Sequence, residues 1–363
     1  MNISKIAYVL ALGLLIGCSG KKTKETALLP KASGKAGEMI VVMDSAQWAQ
    51  PLGESIRNTF QAEVSGLPRQ EVMFKINQVD PVQFNSVLKT VKNLVFAVTL
   101  DNYSPGSKVL KNYFTKNSLD QIQQNEDLYV YTAEDEFARG QKIMYLFRKD
   151  AETLTEKIVQ NQKKLQDYFN SVESKRLKAG LYKAKEKEGF SDLMKKDHDF
   201  EIRIPFGYKL VLNKPGFIWF RQINDESDKD IFVTYKPYAS ESIFENEEII
   251  KFRDSIARKE LFEDPDRPDS YIVTETSVPY IPVVSREYNF KNKFAKETRG
   301  IWKTNNLSMG GPFIGYTLVD EDLGRHYYIE GFVYSPGKSQ REFVRELEVI
   351  LNTFKVSSEI QKP

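Results

Sequence analysis

Asn93-Leu94-Val95-Phe96-Ala97-Val98 is the most apolar strand-length run in the first half of this chain. Six residues without a charge read as the central strand of a sheet, and the flanking segments supply its neighbours. Upstream, Met39-Ile40-Val41-Val42-Met43 is a second β-branched run. Asp44 or Ser45 can then cap a helix that carries Trp48, Leu52, Ile56 and Phe60 at a spacing of four. Leu67-Pro68 ends it, and Met73-Phe74-Lys75-Ile76 reads as the next strand. A short helix from Pro81 to about Lys89 leads into the central run, and Asp127-Leu128-Tyr129-Val130-Tyr131 forms a further strand. Strands alternating with helices predict an α/β layered N-terminal domain over 38–150.

Beyond it the period changes. From Ala133 to about Lys187 the pattern is helical, with Leu154, Ile158, Asn161, Leu165, Tyr168 and Val172 on one stripe. We therefore expect a connecting helix over 151–196, with Gly180 and Gly189 as its weak points. Its last part is basic (Lys175, Arg176, Lys178, Lys183, Lys185, Lys187), which suits a solvated connector or a lipid- or partner-binding face. A second domain over 197–357 opens with Phe200-Glu201-Ile202-Arg203-Ile204-Pro205, alternating as a half-buried strand does. Strands follow at Phe217–Phe220, Ile231–Tyr235 and Tyr271–Thr274, then near Tyr288, Thr298–Trp302, Phe313–Val319 and Tyr327–Tyr334. One helix, Ile249–Leu261, interrupts them; another carries Phe343, Leu347, Ile350, Leu351 and Phe354. Strands dominate, which predicts an α+β C-terminal domain with a mainly antiparallel sheet.

The N-terminus gives an address. Lys5 precedes an apolar run from Ile6 to Ile16 and then Leu15-Ile16-Gly17-Cys18, the marks of a secretory signal over 1–17. The run is shorter than the roughly 20 apolar residues a permanent span needs. Leu-Ile-Gly-Cys resembles the lipobox of bacterial lipoproteins, which implies lipidation of Cys18 and a membrane attachment through the N-terminal lipid. Residues 18–37 are small, polar and basic and read as a flexible tether. Lys21 and Lys22 follow the cysteine where surface-exported lipoproteins of the Bacteroidota carry acids, which favours the periplasmic side of the outer membrane. Cys18 is the only cysteine, so stability must come from packing, for which 23 Phe and 18 Tyr supply the area. A net charge of +2 provides no global field for nucleic acid.

Chemistry is sparse by motif. His198 and His326 are the only histidines, neither with a second ligand at metal spacing, so no metal and no cofactor is expected. His198 reads as a solvated connector residue, and His326 as a structural residue at the start of a strand. No nucleophile elbow, phosphate-binding loop or dinucleotide fingerprint is present. Glu134-Asp135-Glu136 reads as a helix N-terminus and Asp264-Pro265-Asp266 as an acidic loop. Ser308-Met309-Gly310-Gly311-Pro312-Phe313 has two readings. It is a ligand- or partner-facing loop whose bare N–H groups bind an anion, with Arg299 and Trp302 beside it in sequence. Otherwise it is a tight turn with Pro312 on a sheet edge. Arg253-Asp254 reads as a surface or interdomain charge pair. Asp44-Ser45-Ala46 and Asp254-Ser255-Ile256 match the O-glycosylation pattern of Bacteroidota at Ser45 and Ser255, though Asp44-Ser45 also caps a helix.

Taken in order, Trp48, Leu67-Pro68-Arg69-Gln70-Glu71, Glu201-Ile202-Arg203-Ile204-Pro205-Phe206-Gly207-Tyr208, Gly300-Ile301-Trp302, Met309–Phe313 and Ile329–Pro336 resemble an uncharacterised family of Bacteroidota lipoproteins, a domain of unknown function. No activity comes with that resemblance. The second half is also similar to the PsbP/Mog1-type α/β/α sandwich, with its Ile-Pro-x-Gly-Tyr opening and its closing Asn352-Thr353-Phe354; such domains serve mostly as binding modules. These readings lead us to expect a non-enzymatic, lipid-anchored periplasmic protein that binds an envelope protein partner within an assembly or export complex. Two other readings stay open. One is a hydrolase acting on envelope glycan or peptide through dispersed carboxylates, which needs two carboxyl groups roughly 5–9.5 Å apart in a cleft. The other is small-ligand capture at Gly310-Gly311.

Overall fold

Five strands build the first sheet: β1 (Glu38–Val42), β2 (Lys75–Val79), β3 (Asn93–Thr99), β4 (Val130–Glu134) and β5 (Lys142–Arg148). They come from a computed structural model that describes residues 28–184, 189–261, 269–279 and 281–360. The spatial order is β2-β1-β3-β5-β4. β1, β2, β3 and β5 run parallel, and β4 is antiparallel to β5, so the sheet is mixed. β3 takes the middle and all of its residues are buried, as its composition demands.

Local chemistry decides where the helices break. The helix expected from Ser45 to Phe60 is two, α1 (Ser45–Trp48) and α2 (Pro51–Phe60), because Gln50 precedes a proline and is extended at φ −105° and ψ 177°. The helix expected from Pro81 is two isolated 3-10 turns, Pro81–Gln83 and Leu88–Thr90. Asp80 accepts the Val82 N–H and Asn85 accepts those of Val87 and Leu88, which offers the backbone an alternative to the helix. Helices α3 (Pro105–Lys111) and α4 (Lys116–Gln124) follow β3.

Residues from Ala133 onward, read as helical, instead complete β4, turn, and form β5. The connecting helix expected over 151–196 is three: α5 (Ala151–Gln160), α6 (Gln162–Leu181) and α7 (Phe190–His198). Asn161 leaves helical geometry at φ −113°; of the two expected weak points, Gly189 takes φ 92° and is a break, whereas Gly180 stays inside α6. Part of the segment read as a tether is paired. Ala32 is buried and its N–H donates to the Arg139 carbonyl, and Ser33 bridges to Val91. Residues 1–27, including the signal and Cys18, lie outside the described residues.

The chain divides into two compact units, one of 28–61 with Phe74–Gln166 and one of Ala62–Met73 with 167–360, the division falling inside α6. The second unit is an α+β layer built on a single antiparallel sheet. Its strands are β6 (Lys209–Lys214), β7 (Phe217–Ile223), β8 (Asp228–Pro237), β9 (Ile272–Thr274), β10 (Val284–Phe290), β11 (Lys293–Thr304), β12 (Gly310–Asp320) and β13 (Arg325–Tyr334). The order is β10-β11-β12-β13-β8-β7-β6, with β9 paired to β11. Phe200, Ile202 and Ile204 alternate into the core as predicted, yet only Glu201 pairs, in a single bridge to Lys355. Alternation there reports burial and not a ladder.

Both faces of this sheet are covered. On one, Ala295, Ile314, Tyr316, Tyr327 and Ile329 pack with Val344, Leu347 and Ile350 of α9 (Arg341–Leu351). On the other, Trp302, Phe313, Tyr328 and Phe332 pack with Ile249 and Ala257 of α8 (Asn246–Glu260). Gly331 lets α9 approach, because a Cβ there would meet the Leu347 side chain within 3.0 Å. The early insert 62–73 belongs to this unit for a specific reason. Leu67 enters the α9-side core. The Glu71 carboxylate accepts the N–H groups of Gln340 and Arg341 at 2.6 and 3.1 Å, capping α9 from 269 residues away in sequence. Leu347 is fully buried over Gly331. Replacing it (Leu347→Ala) should cost about 2–5 kcal/mol, read as a lower urea midpoint with an unchanged slope.

Candidate functional site

The Met309–Phe313 segment is a strand and not a loop. Gly310 and Gly311 begin β12, and the hairpin turn lies before them, with Leu307 at φ 59°. Neither glycine has positive φ, so their N–H groups do not form an anion-binding nest. Their small size serves packing: a Cβ on Gly311 would collide with the Val333 carbonyl oxygen. Pro312 is not on an edge. It lies between β11 and β13, where the β13 ladder, which begins at Phe313–Phe332, has run out. Alternation sends the other two candidates to opposite faces. Trp302 is fully buried on the α8 side and its indole N–H donates to the Val333 carbonyl at 3.2 Å. Met309 packs against the same cluster. Arg299 faces α9. The expected constellation is therefore not assembled.

Ser45 and Ser255 are exposed, and their neighbouring aspartates are both engaged. Asp44 accepts the Ala46 and Gln47 N–H groups, and Asp254 accepts from the Thr274 N–H and hydroxyl at 2.9 and 2.6 Å. The acidic run Glu134-Asp135-Glu136 closes the β4–β5 turn and is not a helix start. Glu134 pairs with Lys142, Asp135 accepts the Gly140 N–H, and Glu136 accepts the Tyr145 hydroxyl at 2.6 Å. Asp264-Pro265-Asp266 lies outside the described residues.

Three polar assemblies do form in the second unit. On the α8 face, Arg253 is buried and not a surface charge. Its Nε and Nη2 donate to the two carboxylate oxygens of Glu330 at 2.8 Å each. The Tyr328 hydroxyl donates to Glu330 at 2.5 Å, Arg253 Nη1 donates to Thr274, and the Phe313 ring stacks 4.0 Å from the guanidinium. Burial pushes the Glu330 carboxyl up, and the Arg253 charge pulls it back. On the α9 face, Glu297 accepts from Arg286 and Arg299 at 2.8 Å each, and Arg299 also donates to Glu348 at 3.0 Å. Burial raises the Glu297 carboxyl, but the two guanidiniums win and hold it below the usual range. The third assembly surrounds His198, which is buried and not solvated. Nε2 lies 2.6 Å from Asn213 Oδ1, so it donates, and Nδ1 accepts the Tyr235 hydroxyl at 3.1 Å.

A cleft lies beside the second assembly. Ser171, Ser174, Lys175 and Lys178 of α6 face Tyr288 of β10 and Glu348, Val349 and Asn352 at the end of α9, enclosing about 220 Å³. The sequence had marked the basic end of α6; the four-residue stripe at i, i+3, i+4 and i+7 was legible there. Glu297 and Glu348 were not singled out; Glu297 sits among Lys293, Lys296 and Arg299, so nothing local marks it as buried. Among the described residues there is no group of His, Cys, Asp and Glu able to hold a metal, and no helix long and apolar enough to cross a membrane.

His326 stands apart. It is buried beside Phe252, and neither ring nitrogen has a partner among the described residues. Burial, with Lys236 beside it, pushes the imidazole from 6.5 down to about 4.

Two family models match successive parts of the chain, meeting after α6 and not within it. Residues 187–353 match a domain of unknown function (DUF4837), and residues 32–182 match a second (DUF8532). No curated protein matches the chain. Among solved structures, a mutant of the protein Mog1 aligns over 48% of this chain and 95% of its own, at 10% identity and a TM-score of 0.29. The Saccharomyces cerevisiae Ran-binding protein Mog1p aligns over 44% and 90%, at 10% identity and a TM-score of 0.28.

Two predictions follow from the buried groups. Glu330→Gln removes the bidentate partner of the buried Arg253 charge, leaves it only the more exposed Asp254 at 3.3 Å, and should cost about 3–5 kcal/mol, whereas Arg253→Met with Glu330→Leu should cost less than that single change, by chemical denaturation. His326 binds protons more weakly folded than unfolded between 4 and 6.5, so its contribution falls as pH drops through that window. Asp230, pushed from 3.8 up to about 7 by burial, acts in the opposite sense, but it is shared by parent and variant and cancels. His326→Phe should therefore gain about 2 kcal/mol relative to the parent on moving from about pH 8 to about pH 5.

Proposed function

We propose that this chain is a non-enzymatic binding protein, held on the periplasmic side of a bacterial outer membrane by a lipid on Cys18. Its two folded units would be presented to an envelope protein partner. The observation that carries the reading is how the buried polar groups are spent. Glu330 is saturated by Arg253 and Tyr328, Glu297 by two arginines, and both His198 nitrogens are engaged. Groups tied up in this way hold a fold together and have no free lone pair or proton to offer a substrate. The hydrolase reading asks for two carboxyl groups in a cleft. The cleft between α6 and α9 is lined by one, Glu348, which already accepts from Arg299.

The lipobox, the basic residues after Cys18 and the resemblance to Bacteroidota lipoproteins support the address. A tether confines the protein to the membrane plane and raises its effective concentration toward partners there. Cys18→Ser should move the protein from the membrane to the soluble fraction, and crosslinking in intact cells should join the parent, but not the variant, to an envelope protein. Unchanged membrane retention of the variant would remove the anchor, and a parent that always purifies alone under mild detergent would remove the partner.

A further inference from the structure

The cleft between α6 and α9 carries a charge imbalance. On its inner side, Arg286, Glu297, Arg299 and Glu348 alternate in sign and neutralise one another. On its outer side, Lys175 and Lys178 make no ion pair among the described residues and lie one turn apart on the stripe they share with Ser171 and Ser174. The local field is therefore positive. The floor offers acceptors in place of cations. Glu348 engages Arg299 through Oε2 and keeps Oε1 open, and the Tyr288 oxygen, which donates to Asn352 at 2.9 Å, retains its lone pairs.

We infer that this cleft binds a polyol phosphate, with the phosphate between Lys175 and Lys178 and the hydroxyl end against Glu348 and Tyr288. The two serine hydroxyls add donors to the phosphate, and charge-assisted contacts of this kind are the strong ones. A cavity of about 220 Å³ takes a glycerol phosphate, either free or as the phosphoglycerol headgroup of a phosphatidylglycerol, whose hydroxyls a choline headgroup lacks. The inference goes beyond the docking role proposed above and stands or falls separately, because protein crosslinking does not read it.

The test is calorimetric titration of the full chain in detergent with glycerol 3-phosphate and with dihexanoyl phosphatidylglycerol. Glycerol and dihexanoyl phosphatidylcholine serve as controls. Saturable binding of either phosphate, absent with the controls, should weaken on the order of tenfold or more in Lys175→Gln/Lys178→Gln and stay unchanged in Lys338→Gln. Both cleft lysines are exposed, so the double variant should keep the circular dichroism and melting of the parent. Which probe binds tells a soluble ligand from a lipid headgroup. Binding of neither probe, or equal binding by parent and double variant, overturns the inference.

Discussion

The bidentate contact between Arg253 and Glu330 is the constraint on which one whole face of the second unit depends. A guanidinium with 1% exposure cannot stay charged in an apolar interior without a carboxylate at hydrogen-bond distance. That requirement fixes where α8 can lie on the sheet. Once Arg253 meets Glu330 of β13, Ile249 and Ala257, one turn before and after on the same helix, drop onto the Trp302, Phe313, Tyr328 and Phe332 cluster. The Phe313 ring against the guanidinium and the Tyr328 hydroxyl on the carboxylate complete the enclosure. Slippage of the helix by one turn would leave Glu330 buried without its cation and Arg253 without its bidentate partner.

The α9 face meets the same demand differently. There the charges form a ladder that begins inside the core, at Glu297, and ends at the cleft, at Glu348. Glu71, at the far end of the same helix, neutralises its N-terminus. α9 is thus held by a carboxylate on each side, one accepting backbone N–H groups and one on its own last turns accepting from Arg299. This explains why the insert 62–73 belongs to a unit whose remaining residues start a hundred positions later. Without it the helix dipole and the orphan N–H groups would face an uncompensated end.

Much of this was legible in the sequence wherever a single local signal decided the outcome. Leu94–Val98 lies centrally in its sheet because nothing in it tolerates water. The Asn161 and Gly189 breaks came from residues that interrupt a stripe or need positive φ. Legibility failed where two local signals overlapped or where the deciding partner was remote. Lys142–Arg148 was absorbed into a helical stretch, although Ile143-Met144-Tyr145-Leu146-Phe147 is a continuous apolar run of strand length. Gly310-Gly311 announced a turn, but the constraint on Gly311 is the carbonyl of Val333, a strand away. Arg253 does pair with Asp254, as its neighbour suggests, but it is buried and its bidentate partner is Glu330, 77 residues on. A charge such as Glu330 between Ile329 and Gly331 in an otherwise buried strand is the available warning, because such a residue must be paired.

The same accounting separates structural polar groups from those left for a ligand. Every interior carboxylate of the two networks has its cation, and each histidine is either fully engaged, as His198 is, or discharged, as His326 is. At the α6 side of the cleft two lysines stand beside hydroxyls, and the acid across from them, Glu348, already accepts from Arg299. Such a surface costs the fold nothing while solvated, since water neutralises exposed lysines well. It yields free energy only when something else desolvates it. Lysine is the appropriate residue for that task. Its point charge on a flexible stem adapts to a phosphate without the rigid fork geometry that Arg253 and Arg299 use to hold carboxylates inside the core. The division of labour between arginine within and lysine at the rim is therefore a physical argument for where this protein meets its ligand.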